Sequence, residues 1–307
     1  MPSARLSLTM LHPRYWLLWC GLGLLWLLVQ LPHPWQMAIG RRIGRIAMRL
    51  LKRRVQIARR NLQLALPELE AAERERLLIA NFENVGCAVF ETGMAWFWSD
   101  RRMRRWMQIE GEEHVRHAVA GGSGMLLLSC HFMTLELNAR MFGLLQPGVG
   151  VYRPNDNPVL EYAQVRGRTR SNKYLLDRGD IKGMIKALRK GEALWYAPDH
   201  DYGRHASVFV PFFAVEQSAT ITGTATLARV KNTVVLPCYT LRLPQGGYRL
   251  VIEAPLADFP SGDDHLDASR SNRVIEAAVR QAPEQYMWLH RRFKTRPNKD
   301  DPSLYSV

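Results

Sequence analysis

The first strong pattern along the chain is an unbroken apolar stretch from Leu17 to Val29, preceded by Tyr15-Trp16 and closed by Gln30-Leu31-Pro32. It is short for a bilayer span, which needs about 20 residues, although about 17 can suffice. Trp16, Trp19, Trp26 and Trp35 suit an interfacial belt. The run is long and Leu-rich for the core of a signal peptide, and no small-x-small site precedes Pro32. The expectation is an uncleaved hydrophobic membrane-anchor helix, spanning the bilayer or deeply embedded in it. Between Arg41 and Arg60, basic positions alternate with Ile43, Ile46, Ala47, Leu50 and Leu51. That reads either as a basic amphipathic helix on anionic lipid or as an ordinary solvated helix, ending at Pro67. Glu68 to Trp98 repeats at helical period, with Leu77, Leu78, Phe82, Val85 and Val89 as the expected buried stripe. The cluster of Met94, Trp96, Phe97 and Trp98 fits a core or a lipid-facing patch, and core is the simpler reading.

From about residue 105 the pattern alternates. Strands are expected at Met125–Ser129, Gly150–Tyr152, Ala193–Ala197, Val208–Val210, Val234–Thr240 and Tyr248–Glu253. Helices are expected at Leu135–Leu145, Pro158–Arg170, Asp180–Lys190, Ala219–Arg229 and Ala268–Gln281. Such alternation predicts an α/β domain with a mixed, mostly parallel sheet flanked by helices. The expected organisation is an anchor over residues 1–35, a basic amphipathic and helical region over 36–104, the α/β domain over 105–297 and a disordered tail over 298–307.

Charge narrows the partners. The 307 residues hold 42 Lys and Arg against 28 Asp and Glu, a net charge of +14. The excess calls for an anionic partner. No zinc-finger spacing, RNP-type motif or basic-leucine pattern supports nucleic acid. The basic residues crowd instead beside the apolar run, which favours a membrane surface. Nine of them, from Arg41 to Arg60, follow that run, whereas only Arg5 and Arg14 precede it. The positive-inside rule then puts the large C-terminal part in the cytoplasm. Cys20, Cys87, Cys130 and Cys238 form no CxxC pair, against a disulfide framework or thiolate metal site and consistent with a reducing compartment.

The chemistry-bearing residues sit at strand ends. His131 and Glu136 follow the apolar run Met125–Leu128 in the pattern His-x4-Asp/Glu. Open α/β sheets place ligands and catalytic groups just beyond such strand ends. On a regular helix, five positions turn through roughly 500° and leave the side chains about 140° apart. The pair can converge only if His131 lies in the turn and Glu136 in the first turn of the next helix. Glu136 is then expected to accept from one ring nitrogen and leave the other as a general base. Arg153, in the rigid loop Tyr152–Pro158, and the cluster Arg166, Arg168, Arg170 and Lys173 are either a phosphate or carboxylate site or a solvated helix face. Asp199, His200 and Asp201 follow another strand; adjacent residues of an extended chain face opposite ways and chelate poorly, so Asp199 is expected to pair with a basic residue. Phe209–Phe213 lines an acyl pocket or the core, and the arginines of Gln285–Phe293 meet phosphate or solvent. No GxSxG, Walker A, GxGxxG or HExxH occurs.

These strings together resemble the lipid A biosynthesis late acyltransferases of the glycerolipid acyltransferase superfamily, nearest the lauroyl or palmitoleoyl branch. The resemblance rests on Leu11–Trp16, Glu91–Trp98, His131-x4-Glu136, Gly150–Pro158, Trp195–Gly203 and Met287–Pro297. The wider superfamily more often has Asp where Glu136 stands. The resemblance implies an inner-membrane enzyme of lipopolysaccharide biosynthesis. Its donor would be a fatty acyl thioester, lauroyl by the branch, on acyl carrier protein. Its acceptor would be the free hydroxyl of a 3-hydroxyacyl chain on a Kdo-bearing, tetra-acylated lipid A precursor. His131 would act as base with Glu136 fixing its tautomer, without metal, cofactor or covalent intermediate. Arg168 would contact phosphate or oxyanion, and Asp199 would position. The alternatives are acylation of another lipid, such as a lysophospholipid or a mannosylated phosphoinositide, and a non-catalytic protein that binds anionic lipid.

Overall fold

A computed structural model describes residues 5–305. The strands are β1 (Met107–Glu110), β2 (Gly124–Leu128), β3 (Val149–Tyr152), β4 (Tyr174–Asp177), β5 (Ala193–Tyr196), β6 (Ser207–Phe212), β7 (Val215–Ile221), β8 (Thr233–Arg242) and β9 (Tyr248–Ile252). The helices are α1 (Trp16–Leu28), α2 (His33–Leu50), α3 (Lys52–Ala65), α4 (Ala71–Phe97), α5 (Asp100–Arg104), α6 (Glu112–Ala120), α7 (Leu135–Leu145), α8 (Pro158–Arg168), α9 (Ile181–Arg189), α10 (Gly223–Ala228) and α11 (Asp264–Gln281).

Every residue of β2 is buried, so this strand needs cover on both faces. It lies at the centre of a seven-stranded sheet ordered β1-β9-β8-β2-β5-β3-β4. All neighbours are parallel except β8 and β9. Leu126 and Leu128 enter one apolar layer with α3, α4, α9 and α11. Met125 and Leu127 point the other way, into a layer with α4, α6 and α7. The mixed, mostly parallel sheet is therefore the one the alternation predicts.

Several expectations change. Ala219–Arg229 is not one helix: β7 pairs antiparallel with β6 as a separate hairpin, and α10 begins only at Gly223. The basic segment breaks at Leu51 into α2 and α3. On α4 the fully buried apolar positions include Leu78, Phe82, Cys87, Phe90 and Met94, while Val89 is exposed. The helix packs against α2, α3, α7 and α8, so no single stripe describes it. Glycines set its distance from α2: a Cβ on Gly86 would lie 1.9 Å from the Gly40 carbonyl oxygen. The C-terminal segment is packed rather than free, because the Tyr305 hydroxyl accepts from the Phe293 N–H at 3.0 Å and bonds to Asn61.

Of the two expected forms of the anchor, spanning or embedded, the spanning one is corrected. No helix among the described residues is long and apolar enough to cross a membrane. α1 has 13 residues, about 20 Å of helix against a hydrocarbon core of about 30 Å. It ends where Val29 is buried, with Leu25 and Val29 against Gly93 of α4. The Trp98 indole N–H donates to the Val29 carbonyl at 2.7 Å.

Candidate active site

The parallel register of β2 and β5 assembles the site. Leu128 pairs with Tyr196, and the Ser129 N–H continues the ladder to the Tyr196 carbonyl at 2.8 Å. His131 and Asp199 each stand three residues beyond that pair, so they arrive abreast at the carboxyl end of the sheet. His131 Nδ1 lies 2.7 Å from Asp199 Oδ1. The His131 backbone N–H donates to Asp199 Oδ2 at 2.9 Å, and the Tyr286 hydroxyl donates to the same oxygen at 2.9 Å. Asp199 is 1% exposed. Burial pushes its carboxyl up, but the attraction of His131 and the hydrogen bonds from it outweigh burial and hold Asp199 well below the usual carboxylate range. An ionised carboxylate only accepts, so Nδ1 carries the proton and Nε2 is the free base nitrogen.

The C-terminal segment clamps this turn. Phe132 bridges Tyr286, the Met287 N–H donates to the His131 carbonyl at 3.0 Å, and the Met133 N–H donates to the Gln285 carbonyl at 2.7 Å. Behind His131 two more imidazoles stack. The His200 ring lies 3.5 Å from it, centroid to centroid, tilted 12°. His290 stacks on the far side of His200 at 4.0 Å and 14°. Burial, with a smaller push from the neighbouring His131, lowers His200 to about 2; burial, Lys294 and His131 lower His290 to about 4.

His131 borders a largely apolar cavity of about 730 Å³. Val151, Met184, Trp195, Tyr196, Ile221 and Leu227 supply much of its wall, and the exposed Arg153 and Arg178 also line it. An apolar cleft with few placed polar groups is the usual form of a small-ligand site.

Glu136 does not meet His131. From the first turn of α7 its carboxylate accepts from Trp96 Nε1 at 2.9 Å, from Arg168 Nε at 3.1 Å and from Arg168 Nη2 at 2.5 Å. Burial raises its carboxyl, but the Arg168 charge and these hydrogen bonds outweigh burial and hold it below the ordinary range. The expected partners are thus exchanged: Asp199 serves the histidine, and Glu136 takes the arginine. Arg168, only 15% exposed at its side chain, is engaged inside the protein rather than presented to phosphate.

The other basic candidates separate. Arg153 is exposed beside the cavity, 3.6 Å from Asp156. Arg170 donates to the Trp96 carbonyl at 2.9 Å. Lys173 lies 3.4 Å from Glu192; both residues precede their strands, so they sit at the opposite end of the sheet from His131. Arg292 meets neither phosphate nor solvent: it is buried, donates to the Ala219 carbonyl at 2.7 Å and stacks on Phe212. Asp201 accepts from the Thr295 N–H and hydroxyl, both at 2.8 Å. Sequence reasoning missed Tyr286 and the roles of His200 and His290; the string Gln285–Phe293 carried the signal but drew notice for Arg291 and Arg292. His131, Asp199 and His200 offer ligand atoms within 4.8 Å of one another. Stacked rings keep their in-plane lone pairs in parallel planes, so the trio fits a single ion poorly.

Comparison with known proteins identifies the family. The family described as bacterial lipid A biosynthesis acyltransferase matches residues 4–295. The lipid A biosynthesis lauroyltransferase of Escherichia coli K12 is 54% identical over 98% of both chains. The palmitoleoyltransferase of the same organism is 48% identical over 99% of both, and its myristoyltransferase is 30% identical over 93% of this chain and 89% of its own. The chain belongs to the bacterial lipid A biosynthesis acyltransferase family.

Proposed function

We propose that this protein transfers a fatty acyl chain, lauroyl by its similarity to the lauroyltransferase, from acyl carrier protein to a hydroxyl of a hydroxyacyl chain on a Kdo-bearing, tetra-acylated lipid A precursor. The observation that carries the reading is His131, with Nδ1 tied to buried Asp199 beside an apolar cavity. His131 Nε2 takes the proton of the acceptor hydroxyl. Asp199 keeps the proton of the ring on Nδ1 and stabilises the imidazolium as it forms. The acceptor oxygen attacks the thioester carbonyl, the C–S bond breaks as the new ester forms, and His131 returns the proton to the leaving thiolate. The cavity receives the acyl chain and keeps water from the thioester.

Glu136, Arg168 and Trp96 act at one remove. They tie α7, α8 and α4 together beside the cavity wall, which positions the turn holding His131. Asp199 and Arg168 are therefore assigned positioning roles, and Arg153 is the candidate for an anionic group of the substrate.

The protein works at the cytoplasmic face of the inner membrane in this reading. Most of its exposed large apolar side chains lie between Leu6 and Leu51, among them Leu8, Trp16, Leu17, Leu24, Trp26, Trp35, Ile46 and Leu50. Arg41, Arg42, Arg45 and Arg49 are interleaved with them. Apolar side chains entering one leaflet beside arginines at the headgroups would hold the chain on anionic lipid without crossing it. The test is mass spectrometry of the lipid product after offering lauroyl-, myristoyl- and palmitoleoyl-acyl carrier protein with the tetra-acylated acceptor. One added lauroyl chain is expected. No product from any donor, with folded protein, removes this assignment.

A further inference from the structure

We propose that His200 and His290 are positioning residues for the acyl transfer assigned to His131, holding the plane of its ring through a three-imidazole stack. The inference rests on the function proposed above and concerns how the base is aimed.

The hydrogen bond from Nδ1 to Asp199 fixes one edge of the His131 ring. It leaves rotation about the Cβ–Cγ bond restrained only by that edge. A parallel ring at 3.5 Å and 12° restrains the rotation directly, because turning His131 out of plane drives its edge into the face of His200. His200 is backed in turn by His290 at 4.0 Å and 14°. His290 is anchored from α3: its carbonyl accepts from Asn61 Nδ2 at 2.6 Å, and Asn61 is fully buried. The restraint therefore runs from α3 through two rings to the base. Together the edge bond and the stack aim Nε2 at the cavity.

Of the two rings, His200 also borders the cavity. Nε2 of each is buried without a hydrogen-bond partner, so both act through their faces. Burial also keeps both neutral. The charged and titratable groups facing His200 are Asp199, His131, His290 and Arg292; those facing His290 are His200, Lys294, His131, Asp201 and Asp199. A neutral stack adds no second positive charge against His131 when it holds the proton, and its π-faces favour that cation.

The test compares kcat and KM for acyl transfer in wild type, His200→Ala, His200→Leu, His200→Phe, His290→Ala and His131→Ala. A flat neutral ring without the nitrogen should suffice, since Nε2 has no partner to lose. His200→Phe is expected within about threefold of wild-type kcat. His200→Ala and His200→Leu should lose about 10- to 100-fold in kcat with KM within about twofold, the scale of a base displaced by a fraction of an ångström to 1 Å. His290→Ala should lose less, in the same parameter. Wild-type kcat in His200→Ala, or equal rates in the Leu and Phe variants, would overturn the proposal; the second outcome reduces His200 to a space filler. Activity in His131→Ala would instead remove the base that the stack serves, so the two failures are distinguishable. Imidazole NMR of the wild type adds a readout independent of variant folding. His200 should stay neutral from pH 7.5 to 5, and the His131 ring protons should lie upfield of their ordinary positions. Titration of His200 near its ordinary value, or unshifted His131 protons, contradicts the stack.

Discussion

Asp199→Asn is the most informative single change, because Asp199 accepts three hydrogen bonds. They come from His131 Nδ1 at 2.7 Å, the His131 backbone N–H at 2.9 Å and the Tyr286 hydroxyl at 2.9 Å. An amide offers one acceptor oxygen and one donor nitrogen. If the nitrogen faces the ring, Nδ1 must accept, the ring proton moves to Nε2, and the nitrogen needed as base is already protonated. If it faces the other way, it meets the backbone N–H donor, and the imidazolium forms beside no compensating charge. In the serine-protease triad the wrong tautomer lowers kcat about 10⁴-fold. Loss of a charged hydrogen bond alone is worth about 1.5–3 kcal/mol, or roughly 10- to 150-fold. We expect kcat for acyl transfer to fall at least about 100-fold with KM little changed. The assay is initial-rate transfer from acyl carrier protein, with thermal melting to show that the variant folds. A folded variant within about threefold of wild-type kcat would refute Asp199 as the partner that orients His131.

Other consequences are as specific. Removing Glu136 strands a largely buried guanidinium, so Glu136→Ala should lower stability by about 3 kcal/mol; a double-mutant cycle with Arg168→Ala should be far from additive, and additive denaturation free energies would dissolve the pair. Stability should fall as pH drops below 6.5. His200 and His290 have folded values of about 2 and about 4 against an ordinary 6.5. The unfolded chain therefore binds more protons in that window, at about 1.4 kcal/mol per pH unit for each proton. Asp199 and Glu136 are depressed carboxyls, so their stabilisation is present above the ordinary carboxylate value and is lost only at lower pH, as it falls towards their folded values. Melting at pH 7.5, 6 and 5 should thus show a slope that His290→Phe flattens; equal slopes would contradict neutral burial. Replacing Leu17, Leu24, Trp26 and Leu27 by Ser should weaken flotation with anionic vesicles at least about ten-thousandfold, from about 1.5 kcal/mol or more per inserted side chain. Unchanged flotation would place the membrane contact elsewhere.

The fold was legible where a short segment decides its own state. The apolar run Met125–Leu128 became the central strand, and the helix expected at Leu135–Leu145 has those bounds. β1 and β4 were not expected: β1 alternates between half-buried and exposed over only four residues, and β4 buries only Leu175. β7 was hidden because Ala219 to Ile221 continues into small residues that read as helix, while its pairing with β6 is a tertiary fact. At the site, His131 could be found because it follows a buried strand. Its partner could not. Local spacing nominated Glu136, five residues away, whereas the carboxylate that reaches the ring is 68 residues distant and is delivered by the register of two parallel strands. The apolar N-terminus was visible too, but its length as a helix depended on where Val29 packs against α4.

The central claim is that His131 is the base for acyl transfer, and the most direct measurement is acyl transfer by purified His131→Ala beside wild type. Lauroyl-acyl carrier protein and the tetra-acylated acceptor are supplied, and the product is read by mass spectrometry. Wild type should add one acyl chain, and the folded variant should add none within the same detection range. An acylated product at a comparable rate from His131→Ala would contradict the account.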